Sequence, residues 1–317
     1  MIGSRGISIK MPGRSYSGQF TPLTEEEIEI RNHIKKHVEV LAREIGERNL
    51  REYNNLEAAI AYIEKTFREL SYGVSFQDFV VEGKIAKNIE VEILGKSHPD
   101  EIIILGAHYD SVIGCPGAND NATGVAAILE FARLLKGGNR QRTVRFVAFV
   151  NEEPPFFQTE NMGSLVYARR ANKRGEKIVA MFSIETIGYY SDVKGSQRYP
   201  FPFSFFYPNT GNFIGFVGNA SSRSLVHETI ASFRKNTHFP SEGLAAPGWM
   251  TGIGWSDQWS FWKEGYPGIM ITDTALFRYP YYHTQWDTSD NVDYNRMARV
   301  VAGLKRVVIE LASADKK

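Results

Sequence analysis

The sequence predicts a three-layer α/β/α fold with a mostly parallel central sheet and an antiparallel edge, and three observations carry that expectation. Ile102, Ile103, Ile104 and Leu105 form a short continuous apolar run, the composition of a strand covered on both faces. From that run onward, strand-length apolar segments alternate with helix-length amphipathic ones, the pattern of a parallel sheet with helices on both sides. Ahead of it, residues 74–81 and 88–94 alternate apolar and polar, as an antiparallel edge pair does.

In chain order, residues 1–23 are rich in Gly, Ser and Pro and read as a surface arm, and residues 24–317 read as one domain, since no linker divides them. Thr24 and Glu27 form a capping box that opens a helix on which Ile30, Ile34, Val38, Leu41 and Ile45 recur at helical spacing, until Gly46 stops it. His33 and His37 lie four apart there; with lysines beside them and no glutamate between, they read as a solvated helix face. Leu56, Ile60, Ile63, Phe67 and Leu70 mark a second helix, closed near Gly73. After the edge pair come a strand at 102–107, a helix at 123–136 that Thr123 is placed to cap, a strand at 143–150, a helix at 163–172 and a strand at 178–184. Residues 189–216 are too rich in Phe and Tyr for a disordered loop and read as a wall of the site. A helix at 221–235, a short helix at 256–264, a strand at 268–272 and a closing helix at 294–313 complete the chain.

The chain has 317 residues, 43% hydrophobic and 23% charged, with a net charge of +1. That balance and the lack of like-charge blocks give no reason to expect nucleic acid. No apolar run approaches the roughly 18 residues of a membrane span, and residues 1–20 lack an apolar signal core. The expected compartment is therefore the cytoplasm, or the periplasm or exterior for a trimmed mature form. The single cysteine, Cys115, allows no internal disulfide or thiolate-rich zinc site and reads as a loop thiol without a role.

Polar residues collect where the inferred strands end. His108, Asp110 and Asp120 follow the first, Glu152 and Glu153 the second, Glu185 the third, and His283 comes after the last. Ligands of open α/β sheets bind beyond the carboxyl ends of the strands. Two histidines and several carboxylates there are the nitrogen and oxygen donors that zinc takes when it keeps a position open for water.

The segments HYDS, PGANDNATG, NEE followed by MGS, SDQWSFW and YHTQWDT, in this order, resemble the zinc aminopeptidase family of bacterial leucyl aminopeptidases and aminopeptidase Y, whose relatives include glutamate carboxypeptidases and glutaminyl cyclases. The resemblance covers roughly residues 85–312 and implies a zinc-exopeptidase-like fold acting on peptides. It implies two zinc ions bridged by Asp120, with His108 and Glu185 completing one site and Glu153 and His283 the other. It further implies a cis peptide between Asp120 and Asn121, Asp110 as the hydrogen-bond partner that orients His108, and Glu152 as the general base. The chemistry asks for the same roles: paired cations need a shared carboxylate, and a neighbouring free carboxylate can move the proton of a water they activate. Two features depart from the family pattern. Glu185 stands where aspartate is more familiar, and nine residues, PPFFQTENM, separate Glu153 from Gly163 where a tighter turn is typical.

Aromatic residues crowd the segments near His283. Trp255, Trp259 and Trp262 read as core, while Phe277, Tyr281 and Tyr282 are expected to line an apolar pocket for the first side chain of a peptide. The leading expectation is thus a metallo-aminopeptidase preferring an uncharged apolar terminus. A glutaminyl cyclase-like transferase using one zinc is the alternative, and a carboxypeptidase or a non-catalytic binding domain follow behind it. A carboxypeptidase for acidic termini would want an arginine cluster, which Arg278 alone does not make.

Overall fold

The computed structural model describes residues 6–313; residues 1–5 of the expected arm lie outside the described part. Among the described residues eight α-helices, α1 (Glu25–Val38), α2 (Tyr53–Glu69), α3 (Thr123–Leu135), α4 (Gly163–Lys173), α5 (Arg223–Asn236), α6 (Gln258–Lys263), α7 (Ala275–Arg278) and α8 (Tyr294–Ser313), surround one sheet. Its strands are β1 (Ser75–Val81), β2 (Lys84–Ile93), β3 (His98–His108), β4 (Arg142–Phe149), β5 (Lys177–Ile184), β6 (Ile214–Gly218), β7 (Ser241–Ala245) and β8 (Gly268–Thr272). They lie in the order β1-β2-β4-β3-β5-β8-β6-β7.

The inner strands β4, β3, β5 and β8 run parallel, and β1 and β2 form the antiparallel edge. That hairpin turns through Glu82 and Gly83, both at positive φ, as a tight two-residue loop requires. The apolar run of β3 divides between two cores. Ile103, Leu105 and Ala107 pack with α1, α2, α3 and α8 on one face, while Ile102 and Ile104 pack with Tyr167 and Ala168 of α4 and Phe261 of α6 on the other. A strand buried on both faces reads as a continuous apolar run for this reason.

The opposite edge differs from the sequence expectation. β6 and β7 pair parallel to each other and antiparallel to β8, where the sequence signalled only part of an aromatic loop and no strand at 241–245. The arm closes this edge: Ser8 and Ala245 exchange backbone hydrogen bonds of 2.7 and 3.0 Å, and the Phe20 ring stacks on Phe239. Covering an edge in this way removes a row of unpaired backbone groups.

The capping box at Thr24 is present, but the first helix widens at its end into a π-helical stretch, Glu39–Ile45, before Gly46 at φ 82. His33 and His37 are not freely solvated. The first meets the buried carboxylate of Glu130 at 3.2 Å, and the second meets the Tyr62 hydroxyl at 2.7 Å. The π-helical stretch delivers Arg48, which is wholly buried and donates to the carbonyls of Leu41, Gly46, Tyr109, Pro116 and Gly117. One side chain therefore ties the end of the first helix to the loop after β3.

Arg48→Met would orphan several buried carbonyls at once. At about 1–3 kcal/mol for each buried acceptor left unpaired, a loss of at least about 3 kcal/mol is expected, read as a lower midpoint in urea unfolding.

Candidate functional site

The carboxyl ends of the parallel strands bring the expected residues together. His108 ends β3; Asp120 sits in the turn Ala118–Ala122; Glu152 and Glu153 follow β4; Glu185 follows β5; and His283, at φ 56, lies beyond β8 and α7. The Asp120–Asn121 peptide is cis. Asp120 stands between the two imidazoles, with Oδ1 at 3.3 Å from His108 Nε2 and Oδ2 at 3.1 Å from His283 Nε2. Glu185 Oε2 lies 3.2 Å from His108 Nε2, and Glu153 Oε2 lies 3.2 Å from His283 Nε2. Two triads, His108–Asp120–Glu185 and Asp120–Glu153–His283, share Asp120, and a third group, His108–Glu152–Glu153, also brings ligand-type atoms within 4.8 Å of one another. Glu152 is set back, 3.8 Å from His108 Nε2.

These residues fit a divalent cation. Four buried atoms, His108 Nε2, Asp120 Oδ1, Glu153 Oε1 and His283 Nε2, have no hydrogen-bond partner although all belong to strongly polar groups. The ligand atoms of a tetrahedral ion bonded at about 2.0–2.1 Å stand about 3.3 Å apart, which matches the histidine-to-carboxylate separations in each triad.

Like charge packed in a dry site has to be neutralised, and the titration of the groups reflects this. Burial pushes the Asp120 carboxyl up, but the two flanking histidines prevail and hold it below the ordinary range. At Glu153 burial and the Asp120 charge outweigh His283 and lift the carboxyl to about 8. Burial also raises Glu152 and Glu185 in spite of His108 beside them. Burial disfavours the His283 cation, yet Asp120 and Glu153 overcome it and raise the imidazole to about 10.

A layer of anchors holds the cluster. His108 Nδ1 lies 3.2 Å from the Asp110 carbonyl oxygen and 3.5 Å from its carboxylate. The Asp110 carboxylate itself accepts from the Glu152 and Glu153 amides at 3.2 and 3.1 Å, so it also fixes the strand end that carries both glutamates. Ser256 donates to Glu185 Oε2 at 2.6 Å. Sequence reasoning passed over Asp287, whose buried carboxylate accepts from the amides of Asn119 and Asp120 at 2.8 and 3.0 Å and from the Tyr279 hydroxyl at 2.8 Å. It also passed over Asp257, buried near His108 and Glu185, with a carboxyl lifted by burial to about 7. The signal lay in the same segments as the named candidates: Asp287 is four residues after His283, and Asp257 follows Ser256. Thr123 does not cap α3; its hydroxyl donates to Asn119, and Asn121 Oδ1 accepts from Gly124 instead. Cys115 is buried, donates to the Thr284 carbonyl, and is pushed by burial far above the usual thiol range.

A cavity of about 840 Å³, counted out to its open mouth, adjoins Glu185. Phe277 and Tyr282 line it, and the Tyr282 ring stacks on the His283 imidazole with 3.9 Å between centroids. Tyr281 does not line it; its ring meets Tyr279 edge-on. Trp255, expected in the core, stands 44% exposed at the cavity rim. Arg278 is buried and bonded to Gln197 and the Phe213 carbonyl, with its Nη2 left unpartnered.

A doubly covered, mostly parallel sheet with a buried histidine–carboxylate cluster at its carboxyl edge defines an α/β metal-dependent hydrolase. Comparison narrows this: residues 88–308 match the model of peptidase family M28, and the chain belongs to that family. It is 37% identical over 280 residues to the uncharacterized protein YfbL of Escherichia coli K12, covering 86% of this chain and 85% of that one. It is 28% identical over 231 residues to aminopeptidase YwaD of Bacillus subtilis, covering 69% of this chain and 43% of that longer protein. The structure of BSAP, a zinc aminopeptidase from Bacillus subtilis, superposes with a TM-score of 0.69 at 17% identity, over 90% of this chain and 96% of that one. Among the described residues no helix is long and apolar enough to cross a membrane.

At pH 7 the His283 imidazole, at about 10, and the Glu153 carboxyl, at about 8, carry protons in the metal-free protein, and His108, although burial disfavours its cation, is held well above the ordinary imidazole range by Glu185 and Glu152. A cation displaces such protons, so its affinity rises with pH across the neutral range. Calorimetric titration of zinc in buffers of different ionisation enthalpy is expected to show at least about two protons released per chain at pH 7, and fewer at pH 9.

Proposed function

We propose that the protein is an aminopeptidase that removes the first residue of peptides at a pair of zinc ions. The observation that carries this reading is the pair of triads sharing Asp120, in which every ligand atom is buried or half-buried and four such atoms lack any other partner. His108 and Glu185 would hold one ion, Glu153 and His283 the other, and Asp120 both. The ions, when bound, supply the positive charge that acidifies a water and polarises the scissile carbonyl.

The chain's own groups do the rest. Glu152, next to a ligand but set back from the triads, takes the proton of the attacking water at its carboxylate and delivers it to the leaving nitrogen as the C–N bond breaks. Asp110 keeps Glu152 and Glu153 in place through their amides and keeps His108 in one orientation. The dry surroundings strengthen each of these interactions. The cavity beside Glu185, walled in part by Phe277 and Tyr282, receives the first side chain, and its apolar lining suits an uncharged one. Tyr281, outside that lining, has no part in it.

Two measurements test the reading. Elemental analysis of chelator-free protein is expected to give about two zinc ions per chain, with hydrolysis of aminoacyl-nitroanilides lost on chelation and restored by zinc. One ion without hydrolysis, together with cyclisation of N-terminal glutamine, would replace this reading by the cyclase. Glu152→Gln is expected to lower kcat by about 10²–10⁴ while zinc content and melting temperature stay at the wild-type values. A variant that keeps its rate removes Glu152 from the proton path.

A further inference from the structure

We infer that the cavity is a deep slot selective for large aromatic first side chains, with its depth set by Gly215. This rests on the aminopeptidase reading and adds the substrate class.

The register of the sheet builds the floor. Ile184 pairs with Ile271, which places Glu185 beside Thr272; Thr272 pairs with Gly215, and Gly215 with Glu242. Residues paired across strands turn their side chains to the same face. Glu185, Thr272, Gly215 and Glu242 therefore form one row, with Met270, Val217 and Leu244 two residues along on that face, and all of them border the cavity. The alternate residue Phe216 points the other way, 5.2 Å from the Phe233 ring of α5.

The length of this row decides what fits. Three strand spacings of about 4.8 Å carry the floor roughly 14 Å from the strand of Glu185 to the sheet edge, and about 9–10 Å remains once the substrate backbone occupies the first spacing. With C–C bonds of about 1.5 Å, a leucine side chain reaches roughly 4 Å from its Cα and a tryptophan roughly 7 Å. Leucine leaves more than half of the slot empty, a phenylalanine, at roughly 5 Å, fills about half of it, and a tryptophan fills most of it.

Gly215 keeps the middle of the floor low. It is not one of the glycines at positive φ, so the backbone does not demand glycine there. A Cβ would stand 3.2 Å from the Thr272 oxygen and 3.5 Å from Thr274 Cγ2, close enough to be accommodated by a small shift, and anything longer would rise into the slot. The roof is aromatic: Phe203 and Tyr207 come from the long segment after β5, and the Tyr207 hydroxyl is tied to the Gly243 carbonyl of the edge strand at 2.7 Å. Aromatic rings pack on such walls in edge-to-face or offset arrangements. At the far end the Glu242 carboxylate borders the cavity, with Arg234 behind it at 3.9 Å, and the lysyl substrate tests whether that carboxylate accepts a basic side chain.

The experiment compares kcat/KM of the zinc-loaded full chain on alanyl, leucyl, phenylalanyl, tryptophanyl and lysyl amidomethylcoumarins. Wild type is set beside Gly215→Ala and Gly215→Leu, with melting temperature as the check on folding. Wild type is expected to favour the two aromatic substrates over leucyl by at least about tenfold, within the range a well-filled pocket gives. Gly215→Leu is expected to lower the phenylalanyl-to-alanyl ratio at least about tenfold, with Gly215→Ala between, and the alanine variant carries the test should the leucine variant not fold. A wild type that prefers leucyl or lysyl substrate, or variants that lose the same factor on every substrate, overturns the slot and leaves the aminopeptidase reading intact. Failure of the wild type to hydrolyse any of the five overturns that reading and the slot with it.

Discussion

Buried like charge is the constraint around which this molecule is arranged. Asp110, Asp120, Glu152, Glu153, Glu185, Asp257 and Asp287 are all buried at one edge of the sheet. Two like charges 4 Å apart repel by about 4 kcal/mol at an effective dielectric constant of 20. No such cluster persists without protons, cations or hydrogen-bond donors to offset it, and the fold supplies each donor from a different element. Backbone amides of the turn before α3 point at Asp287, amides after β4 point at Asp110, and Ser256 meets Glu185. The guanidinium of Arg48 lies beneath the same loop and is satisfied by carbonyls alone, so its charge remains to act on Asp110, Asp287 and Asp120 around it. Among the atoms these donors leave over are four that belong to the two triads and both carboxylate oxygens of Asp257.

The topology explains how residues so far apart in sequence arrive together. In a parallel sheet every strand ends on the same side, and β3, β4, β5 and β8 deliver their next residues to one edge. Side chains at strand ends are held by the ladder behind them, which is how a site gains precision without a large share of rigid loop. His283 is the exception. It comes from a turn after α7, and Asp287, four residues on, binds the turn that holds Asp120. One segment therefore provides both an imidazole of the buried cluster and the clamp on the carboxylate opposite it.

Much of this was legible in the sequence because it rests on one-dimensional signals. The apolar run 102–105, the alternation of β1 and β2 and the spacing of Ile30, Ile34 and Val38 each follow from burial on two faces, one face or one stripe. The candidate ligands were legible because strand ends are, and their motifs matched a known family in order. Other features depend on three-dimensional partners that leave no local mark. His33 looked solvated because nothing in its own helix announces Glu130, which lies on α3. Asn121 rather than Thr123 caps α3 because the backbone at the preceding turn departs from helical angles. Trp255 looked like core because its size suggests burial, yet it stands at a cavity mouth, where an apolar surface has a use.

The strands that the sequence hid most completely are β6 and β7, and their composition gives the reason. Each has five residues and each carries a glycine in its interior, Gly215 and Gly243, which weakens the strand pattern and gives up side-chain packing. The two glycines open opposite faces. A Cβ at 243 would strike Met11 of the arm at 2.8 Å, whereas one at 215 would stand against Thr272 and Thr274 on the face that borders the cavity. A strand pair with so little propensity of its own needs help to stay in the sheet, and the arm gives it through the bridge between Ser8 and Ala245. The arm can lie that close only because Gly243 has no side chain. On the other face, the space that Gly215 leaves belongs to the cavity beside the histidine–carboxylate cluster. Weak local propensity at this edge is therefore the cost of presenting room on both sides of it, and it obscures the strands in the sequence for the same reason that it opens the slot in the fold.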